Sequence, residues 1–232
     1  MFLRKYRAEI IFSLVITCLI IFTIVYGNHL AAKGIKIRQW TWYNLIILVP
    51  FVVLVFSQRW LGLPPIATIN QKPKGWLSTL GVGAIFGLLD VIVVKFILHP
   101  EPYTELPPSF QVFPYSIFLY SSGAIDVEFY NRMLPLALIL LINKFVFRGN
   151  YRNYFIVFAG VVTSIVEPIQ QFPEGATWFI IYATVSGLMM NAWQFMGYMK
   201  YGFIASLSVR WGHYLIWHIL LGLYIEWIEL AG

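Results

Sequence analysis

The sequence predicts an all-α protein: a polytopic transmembrane helix bundle of seven to eight helices, forming a single integral membrane domain over residues 1–232. Hydrophobic residues make up 59% of the chain and charged residues 11%, against about 45–50% and about 25% in ordinary soluble domains. So few charges could not cover the surface of a soluble fold, and disorder requires the opposite composition. The apolar runs approach the ~20 residues that span a bilayer, and they lack the alternation of a transmembrane β-barrel.

Seven apolar stretches account for the helices: Ile10–Tyr26, Trp40–Ser57, Trp76–Leu98, Val112–Asn143, Asn153–Gln170, Gly175–Val209 and Trp211–Ile228. The fourth would measure ~48 Å as one helix, so it is either a long tilted helix or a broken pair. The sixth is also too long, and we expect a break at Gly197, Lys200 or Gly202. The total is seven or eight, with eight favoured. The first stretch could instead be a signal peptide, but no small-residue cleavage site follows it.

Basic residues between the apolar runs predict the orientation. The net charge of +6 comes from short clusters that are typical of cytoplasmic membrane loops, so we predict no nucleic-acid partner. With the N-terminus in the cytoplasm, ten basic residues lie inside and four outside. The inside set is Arg4, Lys5, Arg7, Arg59, Lys72, Lys74, Lys144, Arg148, Arg152 and Lys200, and the outside set is Lys33, Lys36, Arg38 and Arg210. We therefore expect a multi-pass protein of the cell membrane, in contact with the lipid bilayer.

Ionisable residues inside apolar runs are costly at membrane depth, so each one requires a partner or a function. They are Asp90, Lys95, Asp126, Glu128, Arg132, Glu167 and His218. Glu128 and Arg132 are four residues apart on one helix face, and they form either a structural ion pair or part of a site. Asp126 points elsewhere. Glu167 and Pro168 interrupt the fifth helix, at the edge of a water-filled cavity or at the membrane interface.

Two histidines and two glycines complete the candidate features. His213 follows Gly212 at an expected helix start, at the interface. His218 lies deeper, where it suits either proton transfer near neutral pH or a structural hydrogen bond. No metal site is predicted, because no His/Cys cluster has ligand spacing, and no cofactor is expected. Gly83 and Gly87 have the spacing of close helix packing in membranes, not of a phosphate loop.

Three motifs in order resemble the CPBP family of intramembrane proteases, the CAAX-type and bacteriocin-processing enzymes also called Abi, over residues 59–228. The first is Leu61-Gly62-Leu63 followed by Lys74-Gly75-Trp76, which opens a Gly-rich helix. The second, residues 124–132, is similar to the family's Glu-Glu-x-x-x-Arg motif. The third, residues 202–218, is similar to its closing Gly…Tyr-x-Arg-x-Gly…His-x-x-x-Asn motif.

The resemblance implies hydrolysis of a peptide bond within the membrane by a water that a Glu and a His activate, without a metal. It makes catalytic candidates of Glu128, Arg132 and His218, and Glu167 could supply a carboxylate from another helix. Its implied substrate or partner cavity contains Gln171, Asp126, His213 and Gly222. The chain departs from the family at three positions: the first motif Glu is Val127, the second motif's His is Gln171, and the closing Asn is Gly222.

These departures leave three hypotheses. The first is a catalytically impaired pseudoprotease that binds a membrane protein or a hydrophobic peptide, since valine and glutamine cannot accept a proton from water. The second is an active endopeptidase with a rearranged site of Glu128 or Glu167 with His218. The third is a small-molecule or ion carrier with Asp90, Lys95 and Glu128 along its path. The resemblance also implies a bacterial plasma membrane.

Overall fold

The computed structural model describes residues 6–66 and 74–231 and, within them, seven continuous helical segments and no strand. The all-α prediction is confirmed, and the helix count is the lower of the two expected. Three segments are long and apolar enough to cross a membrane: Arg7–Ala32, Gly75–Leu98 and Arg152–Gln170. Three expected cytoplasmic charges, Arg4, Lys5 and Lys72, lie outside the described residues, as does the side chain of Lys74.

The helices follow one another with short connections. They are α1 (Arg7–Ala32), a 3-10 turn (Trp42–Ile47) leading into α2 (Leu48–Ser57), α3 (Lys74–Asp90) with its π-helical extension (Val91–Leu98), α4 (Tyr115–Glu128), a π-helical turn (Phe129–Met133), α5 (Leu134–Val146), α6 (Arg152–Gln170), α7 (Thr177–Tyr201), α8 (Phe203–Tyr214) and, after a π-helical stretch (Leu215–Leu220), α9 (Leu221–Tyr224) and a last π-helical turn (Ile225–Glu229). The stretch Val112–Asn143, expected as one tilted helix or a broken pair, thus lies in a single continuous helical segment with a π-helical turn at its middle.

Gly202 separates α7 from α8, as one of the three expected break points. Its φ of +93° lies in the region that favours glycine. A Cβ there would lie 2.2 Å from the carbonyl oxygen of Pro65. The last helical segment therefore begins at Phe203, and the expected helix start at Trp211 is wrong. Consequently Arg210, predicted in an outside loop, and His213, predicted at the interface, both lie within α8 and are buried.

Close contact between α3 and α8 places these two buried residues beside α3. A Cβ on Gly83 would lie 1.8 Å from the carbonyl oxygen of Val209, and one on Gly87 would lie 2.8 Å from the carbonyl oxygen of His213. Gly212 faces back, where a Cβ would lie 2.1 Å from the carbonyl oxygen of Leu80. The prediction of glycine-mediated helix packing is confirmed, and α3 packs on α8 more extensively than any other described pair of helices.

The main apolar core lies between α1, α2, α4 and the start of α8. Ile16, Ile20 and Ile24 of α1 are each at most 1% exposed, at the spacing of one helix face. Phe51 of α2 contacts both Phe129 and Phe203 edge-on, with ring centroids 5.9 Å apart. This apolar cluster packs on one face of α4. The opposite face of α4 can therefore carry polar residues.

The proline-rich connection over residues 99–114 is held by the C-terminal turn. The Tyr103 amide donates to Glu229 at 2.8 Å, and the Phe113 amide donates to Glu226 at 2.9 Å. Glu229 also pairs with the buried Lys95 at 2.8 Å, which gives this expected membrane-depth cation its partner. Burial raises the pKa of the Tyr103 phenol, so the ring beside Lys95 stays neutral. The connection is therefore an ordered cover at one end of the helices.

Candidate functional site

Glu128 is the centre of a buried polar network. Its side chain is fully buried, and it accepts hydrogen bonds from Arg132 Nε at 3.2 Å and from Ser206 Oγ at 2.5 Å on one oxygen. The other oxygen accepts from Arg210 Nε at 2.9 Å. The predicted Glu128–Arg132 pair is thus present, and a second guanidinium joins it from α8. Because the carboxylate has three donors, its charge is fully satisfied by the protein.

Arg210 links this network to α6. Its guanidinium donates to both oxygens of Glu167, one of them at 2.7 Å from Nη1, in a two-pronged arrangement. Such fork-to-carboxylate pairing fixes both side chains in one geometry. Sequence reasoning missed Arg210 because a single charge between apolar residues was assigned to a loop. The signal was local: Ser206 and Arg210 are four residues apart, so one helix face presents both to Glu128.

Arg132 directs its remaining donors toward α7 and α6. Nη2 donates to Asn191 Oδ1 at 2.6 Å and to Gln194 Oε1 at 2.9 Å, and Nη1 lies 3.4 Å from Thr163 Oγ1. The two arginines and two glutamates of the network carry charges that sum to zero. A neutral, mutually bonded set is the arrangement that buried charges require. The network therefore stabilises the packing of α4, α6, α7 and α8 around one point.

A cavity of about 620 Å³ adjoins the network. Its lining residues come from both the predicted site and new positions: Arg38, Trp40, Asp90, Val94, Tyr120, Gly123, Asp126, Val127, Glu167, Gln171, Phe179, Tyr182, Ala183, Met190, Arg210, His213, Tyr214, Trp217 and His218. This volume is within the range that holds a small molecule or several side chains of a peptide. Glu167 and Arg210 belong both to the network and to the cavity lining, so the network forms one wall of the cavity.

The structure divides the predicted site residues into three groups. Five of the eight line the cavity: Glu167, Gln171, Asp126, His213 and His218. Two, Glu128 and Arg132, lie behind the wall in the buried network. The eighth, Gly222, lies beside the ring of Phe110 and is not part of the cavity lining. Val127, where the CPBP-like motif would have its first Glu, lines the cavity.

His218 presents one free ring nitrogen. Its ring stacks on Tyr120, with centroids 4.1 Å apart and 6° between the planes, and Nδ1 lies 2.9 Å from the carbonyl oxygen of Ser109. A carbonyl oxygen can only accept, so Nδ1 carries the proton and a neutral ring leaves a lone pair on Nε2. No hydrogen-bond partner for Nε2 occurs among the described residues. His218 is thus available as an acceptor at the cavity.

Asp90 and His213 form a second polar pair on the cavity wall. Asp90 accepts from Tyr182 Oη at 2.7 Å on one oxygen, and its other oxygen lies 2.7 Å from His213 Nε2. His213 Nδ1 is buried with no hydrogen-bond partner within the described ranges. This pair explains two residues that sequence reasoning treated separately. They are 123 positions apart, and only the glycine-mediated contact of α3 with α8 brings them together.

The polar groups of the cavity differ in their availability for chemistry. Glu128 and Glu167 are both neutralised by guanidinium groups, so neither offers a free carboxylate to a water molecule. A general base must reach the proton it removes and must not be held by stronger partners. By this criterion His218 is free, and both glutamates are bound.

No family model, curated protein or solved structure matches this chain, so these contacts are the basis for the functional proposal.

Proposed function

We propose that this protein is a multi-pass membrane protein, with the bilayer in contact with most of its outer surface. Support comes from α6, whose exposed face is apolar: Val157, Phe158 and Val161 are 52–65% exposed. Its buried face contains Thr163 and Glu167. A helix that exposes apolar side chains and buries polar ones suits a lipid solvent rather than water. The basic connections support a cytoplasmic N-terminus, since Arg210 leaves the outside set.

The cavity lies at the end of the bundle opposite most basic connections. Arg38 and Trp40 come from the connection after α1, and Gln171 comes from the connection after α6. With a cytoplasmic N-terminus, both connections lie on the extracytoplasmic side. We infer that a ligand enters from that side or laterally from the membrane.

Within the membrane, we propose that the protein is a CPBP-like pseudoprotease that binds a transmembrane segment or hydrophobic peptide in this cavity without cleaving it. The observation that carries the proposal is that both glutamates are in ion pairs. Arg210 pairs with Glu167, and Arg210 and Arg132 both pair with Glu128. The positions of the missing motif residues agree with it, because Val127 and Gln171 both line the cavity. The cavity thus retains space for a peptide but offers no free glutamate to activate water.

Site-specific photo-crosslinking tests binding. A benzoylphenylalanine at Val127, on the cavity wall, should crosslink an apolar 20-residue peptide several-fold more than one at Leu138, which is 51% exposed on α5. An excess of unlabelled peptide should abolish the Val127 crosslink and leave the Leu138 crosslink unchanged. Equal crosslinking at the two positions would contradict a cavity ligand and would indicate only random contact in the membrane.

Mass spectrometry of the same incubation tests cleavage. We expect the peptide to remain intact over hours. A second candidate function is an active endopeptidase, which is favoured by one observation: Glu167 and His218 line the same cavity. Cleavage that Glu128→Gln or Glu167→Gln abolishes would establish this second candidate and overturn the pseudoprotease. A carrier is not favoured. Its expected path contains Asp90, Lys95 and Glu128, and only Asp90 lines the cavity.

A further inference from the structure

One carboxylate of the cavity has no partner among the residues that the structure describes. Three carboxylates line it, and two are bonded: Asp90 to Tyr182 and His213, and Glu167 to Arg210. Asp126 is half-buried, and among the described residues no hydrogen bond or ion pair reaches its side chain. An unpaired acid at membrane depth is costly unless something supplies the opposite charge. The cavity is therefore incomplete at Asp126.

The rest of the lining indicates the missing group. Six aromatic side chains surround the space: Trp40, Tyr120, Phe179, Tyr182, Tyr214 and Trp217. Aromatic faces attract cations and exclude water from them, and the attraction grows as the site is desolvated. A carboxylate combined with aromatic faces is the arrangement that receives an ammonium or guanidinium group.

The two arginines that line the cavity, Arg210 and Arg38, do not fill this position. Arg210 is occupied by two carboxylates inside the wall. Arg38 is exposed and lies over the Tyr120 ring, 5.5 Å from its centroid, and no ion pair joins it to Asp126. Solvent screens an exposed guanidinium, whereas the half-buried acid is screened less. A cationic group that pairs with Asp126 would therefore come from a ligand.

We propose that the segment bound in the cavity carries a lysine or arginine side chain, whose cationic group pairs with Asp126 between the aromatic side chains. This inference rests on the proposed function, because it specifies the chemistry of the peptide that the cavity holds. A basic residue within an apolar segment is itself costly in lipid. The two unpaired charges thus compensate one another, and the pairing selects one class of transmembrane segment.

Matched peptides test the pairing in the full-length protein. Dansyl-labelled 20-residue Leu/Ala peptides with a central lysine, norleucine or glutamate are titrated into phosphatidylcholine vesicles that contain the protein. Binding is followed by energy transfer from its tryptophans. We expect the lysine peptide to bind roughly tenfold or more tightly than the norleucine peptide, the size of a hydrogen bond to a charged group. The glutamate peptide should bind most weakly.

Two variants locate the effect. Asp126→Asn should abolish the preference for lysine over norleucine, and Glu105→Gln, which removes an acid from the exposed connection before α4, should preserve that preference. Equal binding of lysine and norleucine peptides by the wild-type protein overturns this inference alone, because a peptide is still held. Absence of binding by all three peptides overturns the proposed function as well. The wild-type comparison decides the question even if Asp126→Asn does not fold.

Discussion

Replacement of Arg210 by methionine tests whether the buried network stabilises the fold. Methionine keeps an unbranched side chain of similar length but removes the guanidinium. Glu167 then loses both of its hydrogen bonds, and Glu128 keeps only Arg132 and Ser206. The variant therefore leaves one buried carboxylate without a partner among the described residues.

The magnitude follows from the environment of these charges. Arg210 is 1% exposed and Glu167 is 4% exposed, so solvent can replace little of what is lost. Removal of one partner of a buried ion pair costs about 3–5 kcal/mol. A Coulomb estimate gives about 4 kcal/mol for unit charges at 4 Å with an effective dielectric constant of about 20. Against a typical total stability of about 5–15 kcal/mol, this loss is large.

The assay is reversible unfolding in mixed micelles, with increasing dodecyl sulfate and tryptophan fluorescence as the signal. We expect Arg210→Met to lower the free energy of unfolding by about 3–5 kcal/mol. Adding Glu167→Gln should recover at least half of that loss, because the amide removes the unpaired charge. Lys36→Met, which removes a cation from an exposed connection, should change stability by less than about 0.5 kcal/mol. The reasoning fails if Arg210→Met lies within about 1 kcal/mol of the wild type, or if the double variant is no more stable.

Three further predictions concern helix packing, the proline-rich connection over residues 99–114 and the tautomer of His218. Gly83→Ala should destabilise the protein by about 1–3 kcal/mol or more, because backbone blocks the new methyl group. Gly81→Ala, with nothing within 4 Å, should be neutral or slightly stabilising. Glu229→Gln should speed hydrogen exchange at the Tyr103 amide by roughly tenfold, since a charge-assisted bond at 2.8 Å is weakened; an unchanged rate would mean that other contacts hold the connection. Nitrogen NMR should find the proton of neutral His218 on Nδ1, and a proton on Nε2 would contradict the bond to the Ser109 carbonyl.

Local spacing in the sequence predicted those parts of the structure that depend on neighbours along one helix. Glu128 and Arg132 share a face because they are four residues apart, and helical geometry alone requires this. Gly83 and Gly87 mark a close contact for the same reason, and Gly202 ends a helix through its own backbone freedom. None of these inferences needed a partner from another helix to be identified.

The remaining contacts of the site depend on which helices meet. An ionisable residue in an apolar run indicates that a partner exists, but its own position does not identify that partner. Asp90 and His213 are 123 positions apart, and Arg210 is 82 positions from Glu128. The error at Arg210 came from treating an isolated charge as solvent-exposed, although a charge with two distant acids can be fully buried. Only the packing of α3 and of α4 against α8 supplies that information.

The distribution of charge between the network and the cavity favours the proposed binding function over hydrolysis. In the network two guanidiniums neutralise two carboxylates, so its net charge is zero and its members are fixed. At the cavity wall Asp126 has no such partner within the described part of the chain, and the free nitrogen of His218 is an acceptor as well. A site built to activate water would keep a glutamate free and near that histidine, whereas here both glutamates are bound and Asp126 lines a cavity that is rich in aromatic rings. Such an arrangement is suited to binding a cation rather than to hydrolysis, in agreement with the proposed function.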